Sequence, residues 1–478
     1  METRDPDAEA AAPSRRAFLA AAGACTAAFF GLRLLLTSGR RAAHATAGDL
    51  DRAAVAPGAA AGFGPLLEDP AGLVDLPRGF RYVAFSAVGD AMDDGFVVPG
   101  AHDGMAAFAG PNGRVLLVRN HELLPGNAAA GPFGRNHEGL RRVPASKIFD
   151  RGRGRAPCVG GTTTLVFDPE RGALVAQWLS LVGTIRNCAG GPTPWGSWIS
   201  CEETDFRAGS VLEHDHGWCF EVPARAEPGL CDPIPLKAMG RFNHEAVAVE
   251  LGTGAVLQTE DRDDGLLYRF VPDHPGRLAD GGRLQALALS DRRGADTRNW
   301  RADSTIEVGA PLAAHWIDVR DVESPRDDLR AQGHAAGAAR FARGEGMWAG
   351  ADGIYFACTT GGRGRKGQIW RYTPGADPVR GTLTLFCEPN DASLLDHADN
   401  LTVAPHGDLV VCEDGSGAQR LVGITPQGAC YPLARNARNG SELAGATFSP
   451  DGRWLFFNIQ NPGLTIAITG PFAARRTG

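Results

Sequence analysis

The stretch 186–204 reads RNCAGGPTPWGSWISCEET and gathers the residue types best able to do chemistry. It opens on a soft sulfur donor, Cys188, and closes on two adjacent carboxylates, Glu202 and Glu203. Between them Gly190, Gly191, Pro192 and Pro194 favour a tight turn, and WGSWIS reads as a strand. A hairpin returns its two ends to one edge of a sheet. A thiolate and two carboxylates would then share one point in space, which is a donor set for metal ions.

The same arrangement recurs, and the recurrence names further donors. Glu245-AVAVELGTGAVLQT-Glu260-Asp261 and Asp399-NLTVAPHGDLVVC-Glu413-Asp414 both run from an acidic start through two short apolar strands to an acidic end. Glu345-GMWAGADGIYFACT-Thr360, Ala444-GATFSPDGRWLFF-Asn458 and His102-DGMAAFAGPNGRVLLVRNH-Glu122 share the pattern, making six hairpins with the first. Second hairpins follow several of them, as at Gly265-LLYRFVP, Gly367-QIWRYTP and Gln419-RLVGITPQG. Four short strands per repeat, six times over, predict an all-β chain folded as a six-bladed β-propeller with loop and short-helix insertions. Residues 320–343 are the expected site of a short helix between blades.

Radial blades bring equivalent strand ends to one channel mouth. Glu122, Cys188, Glu202, Glu203, Glu245, Glu260, Asp261, Glu345, Asp399, Asn400, Glu413 and Asp414 would therefore crowd together. Carboxylates that close repel one another and hold protons unless cations neutralise them. Carboxylate and amide oxygens suit Ca²⁺ or Mn²⁺, whereas Cys188 suits iron, zinc or copper. The set thus points to more than one kind of metal.

Composition supports this frame. The 478 residues include 63 Gly and 32 Pro, as expected of many short strands joined by turns. A formal net charge of -7 gives no support to nucleic-acid binding. An acidic protein acting on an anionic substrate needs cations to offset its own field. There are 10 Cys and no CxxC pair, so the spacing gives no support to a thiolate zinc finger. Cys201, Cys358, Cys387 and Cys412 lie in apolar runs and read as buried thiols.

Residues 1–47 read as a targeting segment. Ser14-Arg15-Arg16-Ala17-Phe18-Leu19 matches a twin-arginine export signal, an Ala-rich apolar run follows, and Ala43-His44-Ala45 suits cleavage. Arg33 interrupts the apolar run, so no stable membrane span is expected in the mature form. The twin-arginine translocase is then a partner during export, and the destination is the periplasm or the exterior. Residues 48–75 read as a linker and N-terminal extension, and 76–478 as a single propeller domain.

Several motifs together resemble the PhoX-type alkaline phosphatase family of secreted bacterial phosphatases. They are RNHE at 119–122, NCAGGPTPWGSWISCEE at 187–203, RFNHEA at 241–246, EDR at 260–262, RGEG at 343–346, ADNL at 398–401 and CEDG at 412–415. The resemblance implies a propeller channel holding Fe³⁺ and Ca²⁺ that hydrolyses small-molecule phosphomonoesters. It implies that Cys188, Glu245 and Glu345 serve iron, and that Glu202, Asp261, Asp399 and Glu413 mostly serve calcium. Arg343, two residues before Glu345, is then the expected fork onto phosphate oxygens, with Arg262 and Arg363 next. Two other readings compete: a calcium-dependent lactonase- or esterase-like propeller hydrolase, and a non-catalytic propeller that binds a partner.

The export signal has a direct test. Replacing Arg15 and Arg16 by Lys should hold the protein in the cytoplasm when cell fractions are assayed; normal secretion of that double variant would overturn the export reading.

Overall fold

A computed structural model describes residues 45–46 and 61–474. The rest of the expected leader and the stretch 47–60 lie outside the described residues. Strands dominate, and the single α-helix among the described residues is Leu329–Ala336, inside the stretch expected to hold one. No helix among the described residues is long and apolar enough to cross a membrane. Residues 61–75, read from composition as linker, are folded: Phe63 packs edge-on against Phe80, and the strand Val74–Pro77 pairs with Cys430–Asn436.

The strands form a propeller-like array of antiparallel hairpins. Six strands take the innermost positions: His102–Ala109, Asn187–Pro192, His244–Val249, Gly344–Ala349, Ala398–Val403 and Leu443–Phe448. Each packs beside the next, and the last returns to the first, so they close a ring. The ring of hairpins is closed in one sheet, where Arg81–Ala87 pairs with Leu464–Thr469.

Hydrogen bonding departs from the expected six separate four-stranded blades, because it divides the strands into five sheets. The sheet begun by Asn187–Pro192 has three strands, and another has nine. The wide sheet arises because Pro311–Asp318 pairs on one edge with Gly282–Leu289 and on the other with Arg380–Cys387. An insertion long enough to form an extra strand has thus covered two outer edges that would otherwise stay unpaired.

One irregularity repeats around the ring. Each innermost strand carries a bulge against its hairpin partner at the same place: after His102, Asn187, His244, Gly344, Ala398 and Ala444. A bulge inserts one extra residue and re-aims the side chains beside it. The residues so placed are Asp103, Cys188, Glu245, Glu345, Asp399 and Gly445. Five of these six are potential metal donors.

Below the bulges the inner strands approach so closely that only small residues fit. A Cβ at Gly191 would sit 1.9 Å from the Val247 carbonyl oxygen, and one at Gly346 would sit 2.5 Å from the Asn400 Cα. Met105, Trp198, Met347 and Leu401 close the channel there, leaving a void about the size of one water. The bulge residues therefore line a bowl with a solid floor. Apolar side chains between the sheets complete the core, among them Phe356, Trp370 and Phe457. Cys201, Cys358, Cys387 and Cys412 are buried free thiols, as their apolar surroundings in the sequence imply.

The tight ring predicts an asymmetry between glycines. Gly191→Ala should destabilise the fold by about 2–3 kcal/mol, since the obstacle is backbone on a neighbouring strand. Gly252→Ala meets nothing within 4 Å and should leave denaturant midpoints near wild type. Equal midpoints for the two variants would refute the close-approach argument.

Candidate metal centre

Period-two alternation decides which acidic residues reach the bowl. At the end of each second strand, the residue facing the inner strand turns back into the sheet, and the following residue turns over the mouth. The inward set comprises Glu122, Glu203, Asp261 and Asp414. The backward set comprises Glu202, Glu260 and Glu413, so the structure does not bring these three sequence-predicted donors to the bowl.

Each of the three has its own internal partners. Glu202 accepts from the backbone N–H of Ile185 at 2.9 Å and Gly217 at 2.9 Å, and from His216 Nδ1 at 2.6 Å. The other ring nitrogen of His216 lies 3.3 Å from Asp150. Burial disfavours a charged His216, but Glu202 and Asp150 outweigh it and hold the imidazolium well above its usual range. Glu260 accepts from the Tyr268 hydroxyl at 3.0 Å and the Leu266 N–H at 3.2 Å, with Arg330 of the helix 3.6 Å away. Burial pushes its carboxyl up to about 7. Glu413 forms a two-pronged pair with Arg420, at 2.6 and 2.8 Å. The paired acids Glu202-Glu203, Glu260-Asp261 and Glu413-Asp414 therefore split their work. One member braces the sheet and the other faces the bowl.

In the bowl, donors from five of the inner strands and two strand ends converge. Asp103, Glu122 and Cys188 offer ligand atoms within 4.8 Å of one another; so do Cys188, Glu203 and Glu245, and so do Glu245, Glu345 and Asp399. The three groups share Cys188 and Glu245 and form one continuous cluster. Cys188 Sγ lies 3.0 Å from Glu245 Oε1. Asp103 is absent from the donors drawn from the sequence, although HDG occupies the same repeat position as NCA and HEA. Glu442 was also missed; its field reaches Asp399, Asp414, Asp103 and Glu122. It lies outside the hairpin pattern, and no motif marks it.

The remaining candidates are placed as follows. Asn400 donates to Asp399 at 2.9 Å and accepts from the Gly445 N–H at 2.9 Å, so it braces the ring and orients Asp399. Arg343 forks onto Asp261 at 2.7 and 2.9 Å and reaches Glu345 at 3.0 Å, so it stands at the rim. Arg262 turns away, to Asp205 at 3.3 Å and Asp327 at 3.9 Å. Gln460, unmarked in the sequence, donates to Asp103 at 3.0 Å and to Glu122 at 2.9 Å.

Electrostatics follow from crowding. Burial, reinforced by neighbouring carboxylates, pushes Glu203, Glu245 and Glu345 well above the usual carboxylate range. Burial and Asp414 push Asp399 up to about 7. Burial and the field of Asp103 and Glu245 likewise raise the Cys188 thiol. Glu245 is 1% exposed, yet its Oε2 has no hydrogen-bond partner among the described residues. Unpaired buried carboxylate oxygens are costly, and a cation is the partner that suits one surrounded by further anionic donors. The residues present therefore fit a group of multivalent metal ions.

The fold and the bowl together define a propeller-like protein whose channel mouth is built from metal donors. The family model for alkaline phosphatase PhoX matches residues 61–463, and the chain belongs to that family. It is thus a metal-dependent phosphatase. Among solved structures, Pseudomonas fluorescens PhoX in complex with vanadate, a transition-state analogue, is 18% identical with a TM-score of 0.62. That match covers 83% of this chain and 96% of the other. A gluconolactonase from Xanthomonas campestris is 12% identical over 85% of this chain and 98% of its own, with a TM-score of 0.36. No curated protein matches the sequence.

The raised carboxyls carry a pH prediction for chelator-treated protein. A carboxyl whose folded pKa is raised stabilises the fold below its unfolded value and loses that contribution as pH climbs. For Asp399 the loss spans about pH 4 to about pH 7. Melting temperature in chelator should therefore fall from pH 5 to pH 8, and added cations should restore most at the upper end. A metal-free melting temperature that rises over that interval would contradict the buried cluster.

Proposed function

We propose that the chain hydrolyses phosphomonoesters at a cluster of iron and calcium ions held in the bowl. The observation that carries this reading is the Cys188–Glu245 contact at the junction of the three donor groups, with Glu245 Oε2 unpaired. A thiolate among carboxylates suits a softer, redox-active metal such as iron at one end and calcium elsewhere. Cys188, Glu245 and Glu345 would hold iron; Asp103, Glu122, Glu203, Asp261, Asp399 and Glu442 would serve calcium. Bound there, the metals would supply Lewis acidity to a phosphoryl group and its leaving oxygen.

The chain's own residues do the rest. Arg343 would offer its free Nη1 to the phosphate oxygens while Asp261 and Glu345 hold the guanidinium at the rim. Gln460 would fix Asp103 and Glu122, and Asn400 would fix Asp399. The closed floor leaves one open mouth and shields the cluster from water below. A calcium-only lactonase reading gives Cys188 no role.

Two architectural readings accompany the proposal. The nine-stranded sheet resolves into two four-stranded blades if Pro311–Asp318 is counted as a bridge between them, giving six blades; six inner strands support that count. Export of the mature protein, by the twin-arginine route to the periplasm or exterior, rests on SRRAFL and on the family's secreted habit.

Elemental analysis with a phosphomonoester assay tests the function. Wild-type protein should contain iron and calcium, show visible colour from sulfur-to-iron charge transfer, and lose activity in chelator. Cys188→Ala should lose the colour, the iron and at least ~100-fold in turnover, since loss even of a residue supporting a metal ligand costs 10–100-fold. Full iron and full turnover in Cys188→Ala would refute the assignment.

A further inference from the structure

Arg186 occupies the same structural slot as Arg343, two places round the ring, with the strand that carries Glu245 between them. Each lies two residues before a bulge donor, Cys188 in one case and Glu345 in the other. The Arg186 N–H donates to the Leu123 carbonyl at 3.0 Å, and its carbonyl accepts from the Glu203 N–H at 2.9 Å. The Arg343 N–H donates to the Arg262 carbonyl at 2.9 Å, and its carbonyl accepts from the Thr359 N–H at 3.0 Å. Leu123 and Arg262 are equivalent, each following an inward carboxylate of the preceding hairpin. Glu203 and Thr359 are equivalent ends of each arginine's own hairpin.

The side chains behave alike as well. Arg186 reaches Glu122 at 2.7 Å and also pairs with Glu203. Arg343 reaches Asp261 and Glu345 in the same manner. Each guanidinium thus spans a carboxylate of the preceding hairpin and one of its own. In both, Nη1 donates to none of the described residues, and about a third of the side chain is exposed, at 36% and 31%. Both residues hold a left-handed backbone, with φ of 45° and 53°, which non-glycine residues seldom adopt.

The slot itself does not demand arginine. Ala101 and His397 fill it elsewhere in the ring with φ of 46° and 57°. Arginine at 186 therefore serves the bowl and not the turn. An acidic mouth repels a dianion, and cations at the rim offset that repulsion where the substrate must pass.

Resting on the phosphatase reading above, we propose that Arg186 is a second phosphate-binding residue, paired with Arg343 on either side of Glu245. Each arginine offers its free guanidinium end to different oxygens of the same phosphoryl group. The pair accounts for recognition of a terminal phosphate dianion, which presents three oxygens, and disfavours a diester, which presents two.

The test uses metal-loaded full-length protein with orthovanadate and inorganic phosphate as probes. Arg186→Ala should weaken both by about tenfold or more, matching one lost charge-assisted fork. It should raise KM for a monoester more than it lowers kcat, with iron and calcium content unchanged. Arg186→Lys should recover only part of the affinity, because a point charge cannot fork. Wild-type affinity for both probes in loaded Arg186→Ala overturns the proposal. Loss of metal from both variants also overturns it, since Arg186 would then merely hold Glu122 and Glu203. Should Arg186→Ala fail to fold, Arg186→Lys and Arg186→Gln decide by the same measurements. Failure of the underlying reading shows first in the wild type, as absence of both monoester turnover and vanadate binding, and sinks both.

Discussion

Mutual repulsion among buried carboxylates is the constraint on which the rest of this structure depends. Asp103, Glu203, Glu245, Glu345 and Asp399 are drawn into a space where burial and neighbours both oppose their charge. No arrangement of apolar side chains would tolerate that set. Two arginines at the rim relieve part of it, and bound metal would relieve the rest. The strain of assembling the bowl is thus the source of its affinity for metal.

The ring of six inner strands makes that assembly possible. A bulge at the same place in each hairpin turns one residue from every inner strand toward the same space, so a single local device used six times gathers five metal donors in one bowl. Small residues such as Gly191 and Gly346 let the strands close beneath it. The acids that alternation directs backwards are equally consequential. Glu202 with His216 and Asp150, Glu260 with Tyr268, and Glu413 with Arg420 tie three of the hairpins to the loops and strands outside them. They fix the strand ends from which the inward acids project.

Membership of the PhoX family settles that the chain is a metal-dependent phosphatase. What distinguishes the site physically is the graded donor set, from sulfur at Cys188 to oxygen alone at Asp399. Such a gradient would let unlike metals sort along one site without separate binding domains. Arginines at two equivalent rim positions then give an acidic bowl a way to admit an anion.

Much of this was legible in the chain itself. Hairpins of constant length with acidic ends announced an all-β ring, and Cys188, Glu245, Glu345 and Asp399 stood out because each opens a repeat. Local spacing determines such features, since a hairpin's length and turn residues set its register. The tertiary structure alone decided three matters. The choice between the members of Glu202-Glu203, Glu260-Asp261 and Glu413-Asp414 depended on pairing register, because one step along a strand reverses the face. Fusion of two outer edges through Pro311–Asp318 depended on where a long insertion came to rest. Glu442 and Arg186 joined the bowl through packing between hairpins distant in sequence, which no spacing within one repeat records.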